Sequence, residues 1–333
     1  MQTLLGNNLV QVKHQNRQAV LLTLLREGAL SRVQLAKQLG LSNTTLTNLT
    51  AELLDEGLVE TVTAVSSAVR SVGRPRTMLS LRNNARYAVG VHIGIGNGRV
   101  ALVNLKGLLT HCLTFTFQIS SQAEAVLAQV AEKVAELLEE TAVSRDQIVG
   151  LGVGSSGHID VETGICHVAP SLGWRDVLVA AMLQKQTGLS VIADNNVRVM
   201  ALAEAYFGKG RTHDPLAFVF GRSGIGAGLI VNGELLRGAG AGAGEIGHMV
   251  VVPELGELCR CGQRGCLETM AAQSVLERQI ASFPALAAQL DFDQDDVAVM
   301  ADILRLAEAG HPEVLQLLER LTLFLGIGLV NLV

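Results

Sequence analysis

Residues 244–268 read GEIGHMVVVPELGELCRCGQRGCLE. Three of the chain's five cysteines, Cys259, Cys261 and Cys266, fall in this stretch, with His248 just upstream. Three thiols and an imidazole in one short segment are the donor set of a tetrahedral zinc site. Gly262 and Gly265, set among the thiols, let a tight loop close around an ion. Cys259 and Cys261 are too close in sequence to pair comfortably as a disulfide. The chain starts without a secretory signal pattern, so cysteine arithmetic favours metal over oxidation. Two carboxylates share the segment: Glu245 stands three residues before His248, and Glu268 two after Cys266. A metal-braced loop would hold both as acceptors on a rigid frame, which is what a polyol ligand requires. Two solvated glutamates are the plainer alternative.

Working outward, a chain of 333 residues allows two or three domains. It is 49% hydrophobic and 17% charged, enough apolar content for a sizeable core. Aromatics make up only 3%, which argues against base stacking as a mode of nucleic-acid binding. Charge is divided unevenly. Residues 1–82 carry nine basic and five acidic side chains, a net +4, which leaves -9 for the remainder of a chain of net charge -5. A basic front on an acidic body suggests a nucleic-acid module joined to something else. No apolar run is long and uncharged enough to span a membrane, and the expected location is the cytoplasm.

The basic front has internal pattern. Val20, Leu21, Leu24 and Leu25 recur at helical spacing within 16–26, and Gly28 ends that helix. Ser31 followed by Gln34 is a capping-box pattern opening a short helix over 32–39, closed by Gly40. Ser42 caps a third helix with Leu46, Leu49, Leu53 and Leu54 on its inner face. Asn43, Thr44, Thr45, Thr47 and Asn48 fall on its early outer positions. Two helices joined by a short glycine-containing turn form a helix-turn-helix. Small hydrogen-bonding side chains at the start of the second helix suit base edges. Residues 58–63 and 77–81 read as the strands of a wing. Arg74 and Arg76, on its Gly/Pro loop, are placed to reach phosphates or a narrow minor groove. A small protein-interaction bundle is the alternative for the three helices.

Beyond Asn84 the texture changes to α/β. Strands are predicted over 87–95, 100–105, 113–117, 151–154, 189–192 and 217–220, and helices over 123–138 and 197–207. Asp194 falls at the carboxyl end of a strand, where ligands of α/β sheets bind. Glycine clusters at 94–98 and 221–228 also follow strands and could cradle phosphates. Neither has dinucleotide or P-loop spacing, and plain β-turns are the better reading.

In this combination the chain resembles the ROK family, named for repressors, open reading frames and kinases. Within it, the chain is similar to the winged-helix repressors of sugar metabolism, the branch of the N-acetylglucosamine and xylose repressors. The most specific motif is GEIGH followed by CRCGQRGCLE. Residues 31–59, SRVQLAKQLGLSNTTLTNLTAELLDEGLV, and GRP at Gly73–Pro75 resemble the repressor branch. DNNVRVMALAE at Asp194–Glu204 resembles the family's sugar segment. The resemblance implies a winged helix-turn-helix over 1–82. After it would come a two-lobed, actin-like (ribonuclease H-like) sugar-kinase body, with lobes at 83–205 and 206–333, the second carrying the zinc loop. It implies zinc on His248, Cys259, Cys261 and Cys266, and sugar hydroxyls held by Asp194, Glu245, His248 and Glu268, His248 serving both. Asp194 matches the general base of the family's kinases. The implied partners are operator DNA read through Asn43, Thr44, Thr45, Asn48, Arg74 and Arg76, a sugar or sugar-phosphate effector, and a second copy in a homodimer or higher homo-oligomer.

Three departures bear on activity. The family's kinases carry an Asp in the first glycine-rich turn, in a pattern like DxGGT. Here His92 stands there, in HIGIGNGR, and an imidazole cannot replace a carboxylate near Mg²⁺ and phosphates. Two asparagines that often help to hold the sugar are replaced by Ala193 and Ser171. The sequence stops at Val333, inside a helix that the family normally follows with a further strand and helices, so an incomplete and less stable second lobe is expected. The reading is a zinc-containing DNA-binding repressor without enzymatic activity. Its alternatives are an active ROK sugar kinase and a regulator whose body binds a protein partner.

Overall fold

The computed structural model describes residues 8–63 and 77–332, apart from 239, 241, 255, 293 and 295. One compact unit runs to Asn196 and adds Tyr206–Thr212; the other comprises Val197–Ala205 and the chain from His213 onward.

The first unit opens with α1 (Leu9–Glu27), whose N-cap Asn8 accepts a hydrogen bond from the Val10 N–H at 2.9 Å. The helix begins earlier than its apolar periodicity suggests, because Leu9 and Val10 are exposed and contribute nothing to the buried stripe. β1 (Leu30–Ser31), α2 (Arg32–Leu39), α3 (Asn43–Asp55), β2 (Val59–Thr63) and β3 (Thr77–Leu81) follow. The three strands form an antiparallel sheet in the order β1-β3-β2. Ser31 and Gln34 form the reciprocal capping box: the Ser31 N–H donates to Gln34 Oε1 at 2.9 Å, and the Gln34 N–H to Ser31 Oγ at 3.3 Å. Val20, Leu24, Leu35, Leu46, Leu53 and Leu79 close one apolar core beneath these elements. The loop between β2 and β3, with Arg74 and Arg76, lies outside the described residues.

The same unit continues with β4 (Tyr87–Ile93), β5 (Asn97–Asn104), β6 (Leu109–Thr116), α4 (Ala123–Thr141), β7 (Ile148–Ser155), β8 (His158–Asp160), β9 (Ile165–Ala169), β10 (Trp174–Val177), α5 (Val179–Thr187) and β11 (Val191–Asn195); α6 (Asn196–Phe207) follows, and its Val197–Ala205 belong to the second unit. The five-stranded sheet has the order β11-β7-β4-β5-β6, antiparallel from β4 to β6 and parallel across β4, β7 and β11. Alternate residues of β4, Val89, Val91 and Ile93, point into a core shared with Leu127, Val130 and Leu137 of α4 and Leu183 of α5. Gly98 is part of that packing, since a Cβ there would fall inside the Phe115 ring. β8, β9 and β10 form a small antiparallel sheet of their own.

The second unit holds β12 (Leu216–Gly221), β13 (Ile225–Val231) and β14 (Glu234–Leu236) in one antiparallel sheet. It ends in α7 (Leu267–Ala271), α8 (Gln273–Ala281), α9 (Pro284–Ala287), α10 (Asp296–Glu308) and α11 (Pro312–Leu332). Ile225, Ala227, Ile246, Leu267 and Ala271 pack with Phe324 and Leu325 of α11. Gly228 lets β13 lie against Ala201. Between β14 and α7 runs a long connection with little regular structure, a 3-10 turn over Ile246–His248 and two isolated bridges, Val250↔Cys266 and Leu258↔Arg264. Among the described residues no helix is long and apolar enough to cross a membrane.

Candidate metal centre and nucleic-acid interface

The irregular connection converges on one point. His248, Cys259, Cys261 and Cys266 each offer a donor atom, and the four atoms lie within 4.8 Å of one another. Cys261 Sγ stands 3.6 Å from Cys266 Sγ, and Cys259 Sγ 3.5 Å from His248 Nδ1. Donors held about 2.3 Å from a tetrahedral ion stand about 3.8 Å apart, so these spacings fit such a cage. The backbone is shaped for it. Gly265 has φ +69°, and a Cβ there would collide with the Val252 carbonyl. The Cys259 N–H donates to the Gln263 carbonyl at 2.8 Å, and the Gly262 N–H to the Cys259 carbonyl at 2.9 Å, curling the chain between the thiols. Without a cation the thiols differ. Burial pushes the Cys259 thiol up to about 12, and burial also raises Cys266. A hydrogen bond from the Gln263 backbone lowers the exposed Cys261. A bound cation would reverse the first two, because a coordinating thiol is deprotonated outright.

Glu268 adjoins this cage from the first turn of α7 and is almost buried, at 8% exposure. Its two oxygens face different neighbours. Oε1 accepts from Cys259 Sγ at 3.2 Å and lies 3.6 Å from His248 Nδ1. Oε2 accepts from Arg260 Nη2 at 3.1 Å. The structure thus brings Glu268 together with the four metal-ligand candidates. Glu245 is exposed at the start of the 3-10 turn, where its carbonyl accepts from the His248 N–H. Arg260 is the residue that sequence reasoning missed. Its only signal was a cation placed between two candidate ligands, two turns of chain before a carboxylate.

In the first unit, β4, β7 and β11 end level with one another. His92 and Asp194 both stand in register with Gly154, and Ile93 and Asn195 with Ser155. Asp194 is buried, and its Oδ1 accepts from the Asn195 N–H at 2.7 Å. The carboxyl edge of a parallel sheet is where such folds bind ligands. His92 therefore stands at that edge, level with Asp194. Ala193 is fully buried in the core, and Ser171 is half-buried in the turn before Trp174.

α3 presents the nucleic-acid candidates. Asn43, Thr44, Thr45, Thr47 and Asn48 are all exposed, with Leu46, Leu49 and Thr50 buried behind them. Two of the exposed hydroxyls have local work. Thr45 Oγ1 lies 2.9 Å from the N-cap Ser42 Oγ, and Thr47 Oγ1 donates to the Asn43 carbonyl at 2.7 Å. Asn43, Thr44 and Asn48 make no side-chain hydrogen bond among the described residues. On the opposite end of α3, Glu52 and Glu56 are neutralised by α1. Lys13 meets Glu52 at 2.7 Å, and Arg17 meets Glu56 at 2.6 Å. These contacts hold both carboxylates below the usual range, Lys13 acting chiefly on Glu52 and Arg17 on Glu56.

Residues 13–60 match the model of a winged helix-turn-helix DNA-binding domain, and residues 88–333 match that of the ROK family. The chain belongs to the ROK family. It is 28% identical over 332 residues to a putative xylose repressor of Caldicellulosiruptor sp., covering 99% of this chain and 82% of that protein. It is 29% identical over 251 residues to a glucokinase of Halalkalibacterium halodurans, covering 74% of this chain and 76% of that protein. Among solved structures it resembles a ROK family transcriptional regulator described as a homologue of the Escherichia coli MLC protein. The TM-score is 0.78 and the identity 26%, over 96% of this chain and 80% of that one. The ROK body with an N-terminal winged helix is thus the architecture expected from the sequence.

Proposed function

We propose that this ROK protein is a DNA-binding transcriptional repressor of sugar-metabolism genes whose kinase-like body senses a sugar or sugar phosphate. One observation carries the reading: a recognition helix with free amide side chains precedes a ROK body, and the repressor relative aligns along 99% of the chain. The glucokinase relative aligns over only 74% of the chain. His92 at the sheet edge supports a body that binds without phosphorylating, since an imidazole does not assist Mg²⁺ at phosphates. Asp194, Glu245, His248 and Glu268 are the proposed partners of sugar hydroxyls. A buried carboxylate accepts hydroxyl hydrogen bonds without reorganising, which favours Asp194 and Glu268 over the exposed Glu245 as anchors. The proposed domains are 1–82 for DNA, 83–205 and 206–333 for the two lobes. The proposed location is the cytoplasm and the proposed assembly a homodimer on a palindromic operator.

The metal in this reading is zinc, on His248, Cys259, Cys261 and Cys266. The three-sulfur, one-nitrogen donor set and its spacings support a closed structural site. Its contribution is to fix the connection that carries Glu268.

At the other end, Asn43, Thr44 and Asn48 are the proposed readers of base edges, with Thr45 tied to the cap. Arg74 and Arg76 are the proposed wing contacts. The test starts from DNA selected out of a random pool by the purified full-length chain. Asn48→Ala is expected to weaken binding to the selected site about tenfold while leaving non-specific binding unchanged, as a lost base contact of about 1–3 kcal/mol requires. Equal losses on selected and random DNA would move Asn48 from base reading to backbone positioning.

A further inference from the structure

Arg260 lies between two metal-ligand candidates, yet its side chain turns to Glu268. Its Nη2 donates to Glu268 Oε2 at 3.1 Å, and the guanidinium side chain is half-exposed while the carboxylate side chain is almost buried. Gly224, in the turn between β12 and β13, covers the same pair. A Cβ there would stand 3.2 Å from Glu268 Oε2 and 3.3 Å from Arg260 Nη2. Glu268 Oε1 is turned into the metal cage, 3.2 Å from Cys259 Sγ and 3.6 Å from His248 Nδ1. Oε2 is therefore the oxygen with the exchangeable partner, and a guanidinium now holds it. A neutral sugar hydroxyl donating to Oε2 must share that oxygen with Arg260 or displace it.

We infer that Arg260 is a specificity-determining residue of the effector site, which occupies Glu268 Oε2 in the ligand-free protein and competes with sugar hydroxyls for it. The inference rests on the reading of Glu268 as a sugar anchor. It makes an unusual demand on the ligand. A neutral sugar carries no charge, so its affinity ordinarily ignores ionic strength. If it competes with an ion pair, salt weakens the competitor and strengthens binding. Because Arg260 is half in solvent, the competition is modest, about threefold to fivefold in affinity at low salt. Lys, a point charge without the planar fork, retains the competition in part.

The experiment measures binding of D-xylose and D-glucose by calorimetry to full-length, metal-loaded protein, at low salt and at about 1 M, where screening acts within about 3 Å. The proteins are wild type, Arg260→Gln, Arg260→Lys and Glu268→Gln, each checked for equal metal content. Wild type is expected to bind the sugar more tightly at high salt. Arg260→Gln is expected to bind about threefold to fivefold more tightly at low salt and to lose the salt dependence, with Arg260→Lys in between. Binding that Glu268→Gln abolishes, but that Arg260→Gln leaves unchanged or weakens at both salts, overturns the role of Arg260 alone. Sugar binding that survives Glu268→Gln, or no binding of either sugar to wild type and Arg260→Gln, overturns the sugar-anchor reading and the inference with it.

Discussion

The winged helix and the metal connection solve the same problem by opposite means. In residues 8–63 and 77–81, three helices and three short strands close over fully buried Val20, Leu35, Leu46, Leu53 and Leu79. Between β14 and α7 a stretch of similar importance has, among its described residues, a 3-10 turn and two isolated bridges. Its order comes from four side chains meeting at one point and from glycines that let backbone touch backbone. The first region is stabilised by apolar area removed from water. With the proposed zinc bound, metal affinity would become folding energy in the second. The contrast suits the proposed roles. A DNA reader needs a shape that stays constant, and an effector loop needs one whose order is conditional.

The largest expected effect breaks the second region and spares the first. Cys266→Ser removes a fully buried ligand and is expected to destabilise the second unit by several kcal/mol, on the order of what structural zinc contributes. Metal content and hydrogen exchange check it together. Fast exchange confined to the second unit supports the account, and exchange unchanged everywhere breaks it.

The converse change is Leu46→Ala in the winged-helix core. Leu46 is fully buried, and truncation is expected to cost about 2–5 kcal/mol. Urea unfolding followed with a probe in the winged helix should show the loss, while metal stoichiometry stays that of wild type. A fall in metal content would show that the two regions are not independently held.

A smaller effect sharpens the comparison through pH. In metal-free protein, burial raises the Cys259 thiol from an ordinary 9.0 to about 12 and raises Cys266 as well. Below an ordinary thiol value both folded and unfolded chains keep the proton, so this contribution is whole. As pH rises through the window between 9.0 and about 12, the unfolded chain ionises first, and the stability is progressively lost. Metal-loaded protein, its thiols already ionised, should not lose stability in that window. Melting temperatures of the two forms across pH 8 to pH 10 test the sign; parallel curves would contradict it.

Legibility in the sequence followed the same division. The capping box at Ser31 and Gln34 gave α2 its observed limits, and the return strand of the wing runs over Thr77–Leu81 as read. Both signals are local, a cap and an alternation. The start of α1 was not legible, because Leu9 and Val10 are exposed and only the Asn8 cap marks it. β8, β9 and β10 escaped notice because strands of three to five residues do not sustain a period. The four side chains that meet in the cluster, His248, Cys259, Cys261 and Cys266, were legible from residue type and spacing alone. Arg260 was not, since a pair with Glu268 is made by the curl of the loop and leaves no periodic trace.

In the proposed function, the body's effector controls the winged helix's hold on DNA. A ligand can do this only if it binds the DNA-competent and DNA-incompetent forms unequally. The direct measurement is the affinity of full-length, metal-loaded protein for its selected DNA site, with and without saturating D-xylose, D-glucose or N-acetylglucosamine. The same titration is run on Glu268→Gln. One of these sugars is expected to weaken wild-type DNA binding at least tenfold, about 1.4 kcal/mol of coupling. Glu268→Gln should bind DNA as wild type does and fail to release it. Equal DNA affinity with and without every sugar would contradict the claim and leave the body as a platform for a protein partner.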